Sequence, residues 1–401
     1  MAAQSYDAIV VGARCAGSPA AMLLARKGYK VLLVDRATFP SDTISTHLIH
    51  PPGVAALLRW RLLERVQATG SPAIHTYALD FGPFAITGTP GPADSLSYGP
   101  RRTVLDKLLV DAAAQAGAEV REGFSVAEIV VEDGRVTGIR GHTKGGGTVT
   151  ERARVVVGAD GLHSLVAKTM GAEKYRELAP LQASYYSYWS GLPMNGRFEA
   201  YDRGDRAFAV WPTNDDLTLV IVGWPIAEFE AMKSDIEGNY LRAIARVPAF
   251  HERLRGAKRE DRFYGASVPN FFCKPYGPGW ALVGDAGYNK DFITAQGISD
   301  AFQDAELCTA ALERWFSGAS YDQVMEEYRS QRDARVGPTY DFTCQFARLQ
   351  PAPAEMQQLL GAVHGNQEAM DGFVRIISGV VSPADFFSPD NVQRIFAAAA
   401  H

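Results

Sequence analysis

VVGARCAGSPAA, residues 10–21, is the stretch that decides how this chain folds. Gly12 and Gly17 take the first and third glycine positions of a GxGxxG turn, and Arg14 stands where the second glycine belongs. Before the turn, DAIVV (7–11) is the short β-branched run of a buried parallel strand. After it, AAMLLARKG (20–28) predicts a helix stopped near Gly28, and KVLLVDRA (30–37) a second buried strand ending at Asp35. Strand, turn, helix, strand and acid form a complete βαβ context for a dinucleotide, with Asp35 eighteen residues past Gly17 to meet ribose hydroxyls. Arg14 is compatible with that. The helix N-terminus still offers free N–H groups and a positive dipole end, and a guanidinium adds charge-assisted hydrogen bonds to phosphate or to a flavin edge.

The 401 residues suit two domains or one large interleaved core. Forty basic and 45 acidic side chains leave a net charge of −5 without a polybasic run, so a nucleic-acid partner is not expected. Cys15, Cys273, Cys308 and Cys344 are scattered, which predicts neither a disulfide framework nor a metal site. MAAQSYDAIVVG lacks a leader pattern, and no apolar run approaches the ~18 residues of a membrane span. A cytoplasmic protein is the expectation.

Further along, RTVLDKLLVDAAAQAG (102–117) is an amphipathic helix with Leu105, Leu108, Leu109 and Ala112 on one face. The next forty-odd residues read as a β-meander turning at Asp133-Gly134 and at Gly145–Gly147, then closing on ARVVVGADGLHS (153–164). A plain nicotinamide dehydrogenase would continue with βα crossovers instead. Past residue 175 come Tyr/Trp-rich strands (LQASYYSYWSGL, RFEAYDRGDRAFAVWPT, LTLVIVGWP), which predict a second, mostly antiparallel sheet. Its aromatics are core by default, with Tyr186, Tyr188 and Trp211 as candidates for a pocket wall. The chain then returns through GWALVGDAGYNKDFITAQG, a strand ending at Gly284-Asp285 and a helix starting near Gly297. An acid there suits a ribityl chain, and the helix N-terminus suits a ring that gains negative charge on reduction.

These three sites, in this order over residues 5–330, resemble the FAD-dependent monooxygenases of the aromatic-hydroxylase type, with their geranylgeranyl-reductase and halogenase relatives. GARCAG with Asp35-Arg36 looks like the first FAD motif, GADGLHS (158–164) like the second and VGDAGYNKDFITAQG (283–297) like the third. The resemblance implies an α/β fold: a Rossmann-like FAD-binding domain with an interleaved antiparallel β-sheet substrate domain and a C-terminal helical segment. It implies FAD contacts from Gly12, Arg14, Cys15, Ala16, Gly17, Asp35 and Arg36, then from Thr46, Arg102 and Val126. It adds Asp160, Gly161, Gly284, Asp285, Gln296, Gly297 and Ile298. It also implies reduction by NADH or NADPH, docking only transiently, and oxygen transfer through a flavin C4a-hydroperoxide to an aromatic or apolar small molecule.

The departures lie at Arg14, at Ala167 where the second motif carries an arginine, and at Tyr288, Phe292 and Ala295 in the third motif. Phe292 falls beside the flavin ring, where an aromatic shields the reacting carbon, stacks on a substrate, or marks a different reaction. The alternatives are therefore a reductase saturating an alkene and a flavin-binding redox sensor without turnover. In the loop SDTISTHLIHPPG (41–53), His47 is the candidate catalytic group, because imidazole titrates near neutrality. A loop histidine bonded to backbone is the competing assignment, His50 is read as part of a Pro-Pro turn, and His163 as exposed beside a capping Ser164. The expected division is FAD-binding domain over 1–80, 101–175 and 271–330, an excursion over 81–100, the substrate sheet over 176–270 and helices over 331–401. Those helices would cap the pocket or make a subunit contact, as in a homodimer.

Overall fold

A computed structural model describes residues 5–92 and 94–399; residues 1–4 of the first expected segment and 400–401 of the last lie outside the described residues, as does Ala93. Strand β1 (Ser5–Val11) lies in a parallel sheet between β2 (Val31–Val34) and the strand Val149–Gly158, with Val10 opposite Leu33 on one side and Val157 on the other. Glu119–Arg121 extends the sheet beyond β2, and Trp280–Leu282 extends it beyond Val149–Gly158. All four residues of β2 are buried, as a strand covered on both faces requires. Helix α1 (Gly17–Arg26) and the helix Arg102–Gln115 pack against one another on this sheet. Gly12 turns the chain out of β1 at φ +101°, and a Cβ there would stand 2.4 Å from the Ala159 carbonyl oxygen. Only glycine fits that crossing of two chains.

The expected meander is the hairpin Phe124–Glu132/Arg135–Thr143, turning through Asp133 (φ 48°) and Gly134 (φ 75°) and pairing onward with Val149–Gly158. Positive φ at both turn residues matches the right-handed twist of the flanking strands.

In the second sheet, Gln182–Ser190 pairs antiparallel with Thr218–Pro225, followed by Ala207–Pro212 and Arg197–Asp202. The order then continues into Thr76–Asp80 and Ala85–Gly88. The excursion thus reaches back to Thr76, five residues earlier than residue 81, and Thr76–Asp80 runs parallel to Arg197–Asp202. Its alternating burial, with Tyr77 and Leu79 inward, is what a half-covered strand needs. Alternation also sorts the aromatics of the sheet. Tyr186, Tyr188 and Trp211 pack on the face shared with the C-terminal helices. Tyr185, Trp189 and Trp224 pack on the opposite face, against the segment containing Ile236–Ile244 and Pro248–Arg255. The helix Gln367–Ile377 lies beside Ala85–Gly88, so the C-terminal segment caps one face of the substrate sheet. Among the described residues, no helix is long and apolar enough to cross a membrane.

Candidate functional site

The three glycine-containing turns open into one cavity of about 1040 Å³ between the two sheets, at the upper end of ordinary small-molecule pockets. Gly12, Arg14, Cys15, Ala16, Asp35 and Arg36 border it from the first βαβ unit. Thr46, Arg102 and Val126 border it from the sides, with Asp160 and Gly161 from the second turn. Gly284, Asp285, Gly297 and Ile298 come from the third. Gly17 does not reach the wall. A Cβ there would stand 1.8 Å from the Gly12 carbonyl oxygen, so it closes the turn from beneath.

The Arg14 guanidinium turns sideways rather than out to solvent. It donates to Asp106 and to Ser41 Oγ (2.9 Å), and lies 5.3 Å from the Phe39 ring centroid. Arg102 donates to the same carboxylate through Nε (3.0 Å) and Nη2 (3.1 Å), and the Cys15 thiol approaches it at 3.4 Å. Two guanidiniums on one fully buried carboxylate leave a net positive charge beside the first turn. Burial pushes the Cys15 thiol far up, so it stays a thiol. Asp106 escaped notice in the sequence, where its only signal is the i,i+4 spacing from Arg102.

Asp35 accepts the Ala13 and Ala37 amides, each at 2.7 Å, which ties the turn to the end of β2. Asp160 accepts the Leu165 amide through Oδ2 (2.6 Å), while its Oδ1 is buried without a partner. Burial raises its pKa despite hydrogen bonds from Ser164 and the Leu165 amide. Asp285 is exposed at the cavity wall but enclosed by protein on its other sides. That enclosure pushes its pKa up to about 6, against the pull of Arg102. Behind it, Asp304 accepts the Gly284 amide and the Tyr328 hydroxyl (both 2.8 Å), and Arg332 donates to the Gly287 carbonyl (3.0 Å). Nothing local in the sequence marks these three supports.

The twenty-residue helix Gly297–Phe316 begins without a side-chain cap. A Cβ built on Gly297 would meet nothing within 4 Å, so the ground before this N-terminus is open. Gln296 is a correction. Its amide donates to the carbonyls of Ile376 (3.2 Å) and Ile377 (2.9 Å), turned away from the cavity to anchor the C-terminal cap. Lys290, 4% exposed at its side chain, pairs with Asp300 at the cavity wall.

His47 is a second correction. It lies at 1% exposure with φ 39°, behind the wall formed by Ser45 and Thr46, and its Nε2 is 3.3 Å from the Tyr188 hydroxyl. Burial, then the Arg102 and Arg101 charges, hold its pKa down at about 3, so it is neutral and does not titrate near neutrality. It bonds to a side chain, not to backbone. His50 immediately precedes the helix Pro51–Arg59, and its ring bridges the Tyr77 hydroxyl (2.7 Å) and the Thr294 carbonyl (2.9 Å). The carbonyl can only accept, so Nε2 carries the proton and Nδ1 accepts from Tyr77. His163 is exposed, and Ser164 caps the following helix as its residue type predicts.

A second, apolar pocket of about 70 Å³ lies between the substrate sheet and the C-terminal helices, walled by Phe198, Phe208, Trp211, Ile221, Phe373 and Ile377. Phe292, Ala295, Thr46 and Ser184 border both chambers, so Phe292 stands in the partition. Of the aromatic candidates, Tyr186 borders the large cavity and Trp211 the apolar pocket. Tyr188 borders neither. It is packed between His47 and the Arg101 guanidinium, 4.5 Å from its ring.

The residues present fit FAD. Two uncapped helix N-termini, at Gly17 and Gly297, and a cationic cluster meet at one cavity that all three turns border.

A family model described as an FAD binding domain matches residues 5–343. Digeranylgeranylglycerophospholipid reductase 2 of Methanopyrus kandleri is 25% identical over 366 residues, covering 86% of this chain and 86% of its own. Among solved structures, a flavoprotein/dehydrogenase from Cytophaga hutchinsonii matches with a TM-score of 0.83 at 18% identity over 99% of both chains. The myxobacterial chondrochloren halogenase matches at 0.78 and 23% identity, covering 99% of this chain and 97% of its own. Both likenesses concern the fold.

Proposed function

The chain belongs to the FAD-binding domain family and is an FAD-dependent oxidoreductase, and on that premise we propose that it is an NAD(P)H-dependent monooxygenase of aromatic or polycyclic small molecules. The observation that carries this reading is the apolar, aromatic pocket meeting the cofactor cavity at Phe292. Bound FAD would supply the two-electron chemistry between NAD(P)H and dioxygen.

The chain's own residues bind, orient and shield. Arg14 and Arg102 direct positive charge at the pyrophosphate, with Asp106 restraining both side chains. Asp35, already fixed by two amides, presents its remaining lone pairs to ribose hydroxyls. Asp285 would hold the ribityl chain, and the Gly297–Ile298 amides would stabilise a ring that gains negative charge. Phe292 would exclude water beside the ring and offer an aromatic face to a flat substrate in the large cavity. NAD(P)H needs no domain of its own, because it reaches the ring through the open cavity and leaves.

A reductase that saturates an alkene is the second reading. It is favoured by the likeness to the Methanopyrus kandleri enzyme along most of both chains. The two separate in one experiment. The FAD-loaded protein is supplied with NADPH or NADH, isotopically heavy dioxygen, and a panel of phenols, polycyclic aromatics and isoprenoid alkenes. A product carrying one heavy oxygen atom is the expected result. A product gaining two hydrogens and no oxygen overturns the monooxygenase reading for the reductase. No ligand-dependent consumption of NAD(P)H overturns both.

A further inference from the structure

Asp291 is 1% exposed, forms part of the cofactor-cavity wall and immediately precedes Phe292 in the partition. Its Oδ1 accepts from Gln182 Nε2 (2.6 Å) and from the Ile293 amide (2.9 Å). Its Oδ2 is buried with no partner. Gln182 itself borders the apolar pocket, so this carboxyl stands where the two chambers meet.

Among the described residues, no countercharge is placed against it. The adjacent Lys290 is committed to Asp300. The strand Asn270–Cys273 presents Asn270, whose Oδ1 accepts the Asp291 amide (2.7 Å). The strand Gln182–Ser190 presents the neutral Gln182, and the helix Tyr321–Phe346 presents the Cys344 thiol, 3.5 Å from Asn270 Oδ1. An ionised carboxylate in these surroundings is costly. Burial pushes the pKa up to about 7, with Gln182 and the Ile293 amide opposing it. Capping the turn at Ile293 needs only Oδ1, and asparagine would serve as well there. What aspartate adds is an exchangeable proton on an oxygen that the fold leaves unbonded.

We propose that Asp291 is a catalytic acid of this site, its carboxyl turning out of the buried rotamer into the cavity to deliver the Oδ2 proton to the atom that turns anionic when an electron pair leaves the reduced cofactor. With dioxygen as acceptor the balance is complete. The anionic reduced cofactor gives two electrons and one proton, Asp291 gives the second proton, and hydrogen peroxide leaves. The carboxylate that remains regains a proton from water while turned to the cavity, then returns to its two donors. With an alkene as acceptor, one carbon takes a hydride and the other takes the Asp291 proton. The proposal rests on FAD redox chemistry alone and stands whichever substrate class holds.

The test uses dioxygen as the probe, without an organic substrate, so that it succeeds or fails independently of the monooxygenase reading. FAD-loaded wild type, Asp291→Asn and Asp291→Glu are photoreduced without oxygen, then mixed with oxygenated buffer across pH 5 to 9. Wild-type reoxidation is expected to slow as pH rises through about 7. Asp291→Asn is expected to be on the order of 100-fold slower with that limb absent, the low end for a positioned acid, and Asp291→Glu to retain the limb. Infrared difference spectra of the FAD-free protein supply a readout apart from turnover: a protonated-carboxyl band that titrates near 7 in wild type and is missing in Asp291→Asn. Equal rates and pH profiles in wild type and Asp291→Asn overturn the proposal, as does loss of the limb in Asp291→Glu. Should Asp291→Asn fail to fold, absence of the titrating band from the wild type overturns it too.

Discussion

Replacing Asp106 by alanine should move stability and cofactor affinity in opposite directions. In the FAD-free protein the change strips the counterion from Arg102, whose side chain is 10% exposed, while Arg14, 25% exposed, can turn towards water. Only the Arg102 half therefore counts in full. Breaking a buried ion pair from one side costs about 3–5 kcal/mol, and the lower end, about 3 kcal/mol, is the fitting figure here. With FAD bound, the pyrophosphate replaces the lost negative charge, and both guanidiniums, released from Asp106, are free to pair with it. The bound form should lose at least about 1.4 kcal/mol less than the free form, equivalent to roughly tenfold tighter FAD binding than in wild type. Urea unfolding of both forms of both proteins, with FAD binding followed by flavin fluorescence quenching, gives all four free energies. A loss below about 1 kcal/mol without FAD would mean that Arg102 finds water unaided. An equal loss with and without FAD would refute the placement of the phosphates beside Arg14 and Arg102.

Two glycines should separate the turn from the cradle. Gly297→Ala, with open space before it, should leave the FAD-free protein as stable or up to about 1 kcal/mol more so, yet weaken flavin retention on gel filtration. Gly17→Ala places its Cβ against the Gly12 carbonyl and should destabilise both forms; an unchanged melting temperature would refute the packing described for the turn. Asp285 and Asp291 have folded pKa values raised to about 6 and about 7. Their stabilising contribution is complete below about pH 4 and is lost as pH rises through those values. Asp285→Asn should flatten the decline in FAD-free stability between pH 4 and 6, and an unaltered pH slope counts against the enclosure of this carboxyl. His47 and His50, held down at about 3 and about 4, act in the opposite sense. Their contribution is present above about pH 6.5 and is lost as pH falls towards the folded values, so His50→Gln should be less sensitive to acid in urea unfolding than wild type. Phe292→Ala should join the two chambers and strengthen binding of a bulky aromatic dye to the FAD-free protein. Unchanged dye affinity would place the partition elsewhere.

Much of the fold was legible because its signals are local. The βαβ unit is written in apolar runs of the right length, a helix stop and glycines that a crossing of chains demands. The meander is written in Asp133-Gly134, where both residues take positive φ. Tyr/Trp alternation foretold the second sheet, but not that Thr76–Asp80 joins it beside a strand some 120 residues later in the chain. Pairing at that distance depends on which inward faces complete a common core, and Tyr77 becomes recognisable as core only once its ring packs against Phe198.

Charge was harder to read than shape, because the sequence gives a residue's type while the environment sets its protonation. His47 promised a group titrating near neutrality, yet burial beside two arginines makes it the least protonated kind of histidine. Lys290 and Asp291 are neighbours of opposite charge in the sequence. The fold separates them, giving Lys290 to Asp300 and leaving Asp291 with neutral donors at the chamber wall. The same logic governs Arg14, which was expected to tolerate the loss of the second glycine by adding charge-assisted hydrogen bonds. Asp106 draws its side chain aside and leaves the first turn of α1 open to the cavity. Each of these roles depends on a partner that the residue's own type does not name: Arg102 for His47, Asp300 for Lys290, Gln182 for Asp291 and Asp106 for Arg14. Only a structure supplies such partners, which is why the cofactor could be read from motifs while the acid proposed to serve it could not.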